Sequence, residues 1–197
     1  MQRAVRLLIF ACALCTGSAR AEEIVFDLDQ AQTDINFTLA DVLHTVHGAF
    51  QLRKGTIRYD PANGKAAGEV IVDVASGSTG GGSRDRKMHK EVLESAHFPD
   101  AVFTPTSVDG KFEPQGTSEL EVHGLFQIHG ASHELTLHAH IETKGDQLTA
   151  ALRTELPYTQ WGIKNPSTLF LRVSDKVQLE VRATGRRNVE GSAAAVR

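Results

Sequence analysis

Cysteine is nearly absent from this chain: Cys12 and Cys15 are the only two, and both lie close to the amino terminus. Around them stand Arg3 and Arg6, an apolar stretch from Leu7 to Leu14, and the small-x-small triplet Ala19-Arg20-Ala21. This order is that of a secretory signal peptide over residues 1–21, too short to remain as a membrane anchor. Cleavage after Ala21 removes both cysteines and leaves 176 of the 197 residues. Disulfides, thiol catalysis, thiolate metal sites and iron–sulfur clusters are then excluded. A lipoprotein anchored through either cysteine is the competing expectation. Neither Ile9-Phe10-Ala11 before Cys12 nor Cys12-Ala13-Leu14 before Cys15 makes a good lipobox.

The mature chain also lacks long apolar runs, so no transmembrane helix is expected in it. An excess of positive charge is missing too. The whole chain has 21 Lys+Arg against 24 Asp+Glu, and losing Arg3, Arg6 and Arg20 moves its net charge from −3 to −6. Such a balance disfavours nucleic acid and anionic bilayer surfaces as partners. With 41% hydrophobic and 23% charged residues the composition is that of a globular domain, long enough to bury one core.

What dominates is alternation. Ile35, Phe37 and Leu39 share one parity, as do Val70, Val72 and Val74, and Leu120, Val122, Phe126 and Ile128. Leu135 to Ile141, Leu148 to Leu156, Leu169 to Val173 and Val177 to Ala183 repeat the pattern. Side chains of period two point to opposite faces, so each run predicts a strand with one buried and one wet face. Turn signals such as Pro61-Ala62-Asn63-Gly64, Asp109-Gly110 and Lys144-Gly145-Asp146 fall between them. Only one segment predicts a helix, capped by Ser83, with Met88, Val92 and Leu93 on one side and an end near Ser95. About eight to ten one-sided strands suit a closed antiparallel barrel, although a two-sheet sandwich satisfies the same alternation. The expected boundaries are a barrel over 22–185 and a disordered tail over 186–197.

Sites of chemistry are sparse. The loop Ser76 to Gly82 has the glycines of a phosphate loop but lacks its Lys-Ser/Thr pair. His138 and His140 share a strand face at a chelating spacing, yet that face is the wet one, which makes solvated histidines the simpler account. No Gly-x-Ser-x-Gly, His-Glu-x-x-His or cysteine nucleophile occurs in the mature chain. The carboxylates Glu119 and Glu121 likewise fall on a polar face. By contrast, eight Phe residues beyond the signal segment are spread over the strands and the helix exit. The irregular stretch Pro157 to Pro166 carries Trp161, the only tryptophan, and suits a cavity mouth.

Several elements together resemble a known family. They are Phe37-x-Leu39, His44-x-x-His47-Gly48-x-Phe50, Gly55-x-Ile57-x-x-Asp60, Ser83-Arg84-Asp85, His97-Phe98-Pro99-x-x-x-Phe103, Gly124-x-Phe126-x-Ile128-His129-Gly130 and Trp161-Gly162-Ile163. In this order they look like the YceI-like family of secreted, lipocalin-like bacterial proteins, over roughly residues 24–185. The chain departs from that pattern at Arg86-Lys87-Met88, at Leu93-Glu94-Ser95 and in the glycine-rich loop. The resemblance implies an all-β, single antiparallel lipocalin-like β-barrel of about eight strands with one short helix. It implies a periplasmic or secreted carrier that holds a polyisoprenoid or other long-chain amphiphilic lipid, with no enzymatic activity and no cofactor. The alternative is a secreted hydrolase or metal-dependent enzyme on a β scaffold. Phe37, Leu39, Phe50, Leu52, Val70, Val72, Phe126 and Ile128 are the expected wall residues, with Trp161 near an opening and Arg84 at the ligand's head group. Monomer and homodimer are both left open.

Export predicts a mature protein that begins directly after Ala21. Amino-terminal sequencing of the exported product checks this, and a product starting at an acylated cysteine contradicts it.

Overall fold

The computed structural model describes residues 23–40, 45–168 and 172–190. The expected signal segment with its cysteines, His44, the strand positions Leu169 to Leu171 and the tail from residue 191 lie outside the described residues. Eight strands follow one another: β1 Glu23–Ala40, β2 Thr45–Asp60, β3 Lys65–Ser78, β4 Asp100–Asp109, β5 Gly116–Ile128, β6 Ala131–Lys144, β7 Gln147–Leu156 and β8 Val177–Glu190. Each pairs antiparallel with its neighbour, and β8 returns to β1, so the sheet is a closed barrel rather than a sandwich. The closing register includes Phe37 opposite Leu179 and Leu28 opposite Gly185. β8 continues to Glu190, five residues into the segment expected to be a disordered tail. Pairing with β1 explains this: Arg186 and Arg187 lie opposite Asp27 and Phe26, and backbone pairing holds a segment that lacks a hydrophobic signal of its own.

The inward parity is not constant along the first two strands. Phe26 and Leu28 face inward at even positions, Ile35, Phe37 and Leu39 at odd ones. A bulge between Leu28 and Thr33 absorbs the change, with Asp29 accepting hydrogen bonds from the Ala31 N–H and the Gln32 amide. In β2 the register slips between Leu52 and Lys54. An inserted residue bends a strand and re-aims its side chains without losing the barrel's inside–outside order.

Four bulky side chains stand against glycines on neighbouring strands. A β-carbon on Gly48 would come 2.3 Å from the Phe37 ring, one on Gly124 2.7 Å from Phe103, one on Gly77 2.5 Å from Phe50 and one on Gly185 2.7 Å from Phe26. Each ring therefore packs against bare backbone and becomes part of the wall.

The helix begins two positions earlier than expected. Helix α1 spans Gly82–Lys87 with Gly81, not Ser83, at its cap, and a π-helical turn Met88–Val92 follows. Gly80, at φ +76°, turns the chain inward ahead of Ser83, so the serine is drawn inside the first turn. His89 then fastens the helical segment to β3: its Nε2–H donates to the Gly77 carbonyl at 2.8 Å, and in the neutral ring Nδ1 accepts from the Ser95 hydroxyl at 3.1 Å.

Gly48→Ala should push the Phe37 ring off the wall and lower stability by about 1–3 kcal/mol, the usual cost of overpacking. Urea unfolding measures it; a variant as stable as the parent contradicts the packing described.

Candidate ligand-binding cavity

Strand direction gives the barrel two unlike ends. One end carries the short turns around residues 61–64, 110–115 and 145–146. There Phe112 packs edge-on against Tyr59, with ring centroids 6.3 Å apart, beside a buried cluster of Phe26, Val108, Leu120, Ala139, Ile141 and Leu148. The other end carries the helical connection between β3 and β4, the β5–β6 turn and the irregular segment after β7. Between them lies a cavity of about 500 Å³, open at that second end. This volume is within the range of small-molecule sites.

The lining is almost wholly apolar. Of the expected wall residues, Phe37, Leu39, Phe50, Val70, Val72, Phe126 and Ile128 all reach the cavity, and Trp161 and Arg84 do so at its mouth. Leu52 does not. It is completely buried and stands beside a register shift in β2. Sequence reasoning missed Lys87, Thr79, Tyr158 and Ile163 at the mouth and Phe112 and Tyr59 at the closed end. The even-numbered Phe112 lies in a loop where alternation carries no signal. Among the described residues the lining includes no histidine, serine or carboxylate.

One side of the mouth is split. β6 and β7 pair only from Ala139 opposite Leu152 down to Lys144 opposite Gln147. Above this, β6 pairs with β5 and β7 with β8, so the two strands part. Trp161 stands beside the parting, stacked on His133 of β6 at 4.5 Å with the planes 10° apart, and 5.8 Å from Phe126. Behind it, the Tyr158 hydroxyl donates to the Ser174 carbonyl at 2.7 Å and ties the two limbs of the segment together. Burial pushes the Tyr158 phenol up to about 12, with the Asp175 charge adding to the effect. Tyr59 at the closed end is raised as well, first by burial and then by Asp60 and Asp109.

Opposite, Arg84 is anchored to Thr79, its Nε donating to Oγ1 at 2.6 Å and its terminal nitrogen to the carbonyl at 3.0 Å. Asp85 turns back on the loop, accepting from the Thr79 hydroxyl, from the Thr79 N–H at 3.0 Å and from the Ser78 hydroxyl at 3.2 Å. The Thr79 hydroxyl is the main cause that holds its carboxyl below the usual range, helped by the Thr79 N–H, Ser78 and Arg84. The glycine-rich loop is thus organised from within by Asp85.

Two motifs far apart in sequence meet outside the cavity. Phe98 lies on His129, 4.4 Å between centroids, and a β-carbon on Gly130 would come 2.9 Å from the Phe98 ring. This explains His97-Phe98-Pro99 and His129-Gly130 as a packing joint between the helix exit and the β5–β6 turn. His138 and His140 are exposed on the outer face, paired across strands with Glu121 at 3.5 Å and Glu119 at 2.5 Å. Among the described residues no three or more histidines, cysteines or carboxylates are grouped to hold a metal. Nor, among them, is any helix long and apolar enough to cross a membrane.

A closed antiparallel barrel with a hollow, apolar interior and one polar rim is the architecture of barrels that enclose a small ligand. The YceI-like domain model matches residues 26–185, and the chain belongs to that family. Protein YceI of Salmonella newport (strain SL254) is 31% identical over 134 residues, covering 66% of this chain and 68% of that one. Among solved structures, a polyisoprenoid binding domain from Saccharophagus degradans, implicated in plant cell wall breakdown, superposes with a TM-score of 0.67. It is 13% identical and covers 83% of this chain and 98% of that one. Burkholderia cenocepacia BcnA superposes at 0.66, with 17% identity over 81% of this chain and 99% of its own. At these identities the superpositions establish the shared fold.

Both tyrosines should titrate late. In the folded protein tyrosinate absorbance should rise later than in the unfolded chain, which ionises near pH 10, with Tyr158 ionising only at about 12. Raised folded values make the associated stability complete below pH 10 and lose it as the pH climbs towards about 12. Ultraviolet titration with and without denaturant measures this; coincident curves contradict it.

Proposed function

We propose that the protein binds a long-chain isoprenoid or a similar amphiphilic lipid in the barrel and carries it in the periplasm. The observation that carries this reading is the cavity itself: about 500 Å³ of almost wholly apolar lumen, with its charged groups only at the helical end. That is the complement of a molecule with a long apolar tail and one polar end. Each buried methylene contributes about 0.8 kcal/mol, so a tail supplies affinity without polar contacts along its length. Selection then rests on tail length and width, since one methylene more or less discriminates weakly. The Saccharophagus degradans neighbour, described as a polyisoprenoid binding domain, supports the ligand class. The family is one of binding proteins, and the lumen offers neither a carboxylate nor a histidine for acid–base work among the described residues. The basic, apolar and Ala19-Arg20-Ala21 order of the amino terminus supports export.

Lipid extracted from the purified protein and identified by mass spectrometry should include a long-chain amphiphile. Val72→Trp fills the lumen without burying a charge and should abolish that copurification while the barrel still folds. A folded Val72→Trp protein that retains the same lipid in the same amount removes the interior site.

A further inference from the structure

The ligand's polar end meets an unusual environment. Arg84 and Lys87 are the only charged side chains in the cavity lining among the described residues, and both are cationic. They are three positions apart on α1, hence on one face of the helix. Among the described residues, neither has a carboxylate oxygen within 4.0 Å. Of the acidic groups nearby, Asp85 is coupled to Arg84 through the Thr79 hydroxyl that both contact, and the others are engaged elsewhere. Asp85 is bound to Thr79 and Ser78, Glu91 lies 3.7 Å from Lys164, and Glu94 faces His129 at 3.7 Å and His97 at 3.9 Å. Arg84 is also held in place by its two bonds to Thr79, which leave the rest of its guanidinium fork unspent. The remaining polar lining groups are hydroxyls and the Trp161 indole N–H, and the Tyr158 hydroxyl is committed to Ser174.

Resting on the lipid-site reading above, we propose that this mouth selects an acidic head group, a carboxylate or a phosphate, over a neutral one. Arg84 supplies a pre-positioned planar donor set and Lys87 a mobile point charge one turn further on. Charge-assisted hydrogen bonds of this kind are shorter and stronger than those between neutral groups. The overall acidity of the chain does not oppose this, because a head group at the mouth responds first to charges within a Debye length, about 10 Å at 0.1 M salt.

The test uses four probes in two matched pairs: farnesyl monophosphate with farnesol, and palmitate with hexadecanol. Trp161, the sole tryptophan and part of the mouth, reports binding by its fluorescence. Each acid should bind about tenfold more tightly than its alcohol, the scale of one hydrogen bond to a charged group. A preference in one pair alone tells phosphate from carboxylate and still supports an acidic-head site. Lys87→Gln should shrink the preference and Lys87→Glu should reverse it, with acid affinity falling more than alcohol affinity in both. Equal binding of acid and alcohol by the parent overturns the head-group inference while leaving the lipid site standing. So does a Lys87→Gln protein whose acid and alcohol affinities fall together. Binding of none of the four removes the lipid-site reading, and this inference with it.

Discussion

Everything about the interior depends on where the aromatic rings go. Six phenylalanines, at 26, 37, 50, 103, 112 and 126, border the lumen. Projected towards the axis, such rings would fill a barrel of eight strands, which is only wide enough for its own side chains or one small ligand. Here four of them lie over glycines of adjacent strands, at distances no β-carbon could share. The glycines remove volume from the wall at those points, and the rings occupy it. The result is an aromatic surface around an empty centre.

The two ends then take different roles because the connections differ in length. Short turns at one end let Phe112 and Tyr59 close over a buried cluster. At the other end the chain inserts a helical segment and a long irregular segment, and among the described residues the helical one supplies both charged groups that reach the cavity. The parting of β6 from β7 belongs to the same end, with Trp161 and His133 stacked beside it. An apolar closed end and a cationic open end orient an amphiphile in one direction only.

Much of the barrel was legible beforehand. The runs around Ile35, Val72, Leu120, Leu137 and Val181 all face inward as their alternation indicates, since a pleated strand cannot place neighbours on one face. Legibility failed where local chemistry yields to tertiary pairing. Ser83 looks like a cap, but the turn at Gly80 starts the helix ahead of it. Leu52 has the parity of a wall residue, but beside a register shift in β2 it is buried without lining the cavity. Residues 186–190 look like tail, but β1 offers them a partner. Glu119 and Glu121 are exposed as their polar face indicates, and only strand register pairs them with His140 and His138.

The sequence by itself determined that this is an all-β domain with one-sided strands, a single helical interruption and an aromatic-rich apolar face, because periodicity and turn chemistry are local properties. Its motifs also carried the family, through residues such as Gly48, Phe98 and Gly130 whose packing roles emerge only in three dimensions. Only the tertiary structure decided that the sheet closes, that its centre is hollow, and that Lys87 joins Arg84 at the mouth. Closure requires β8 to meet β1 across the whole chain, and hollowness depends on rings and glycines brought together from different strands. Alternation is identical for a filled barrel and an empty one, so no local pattern could have told them apart.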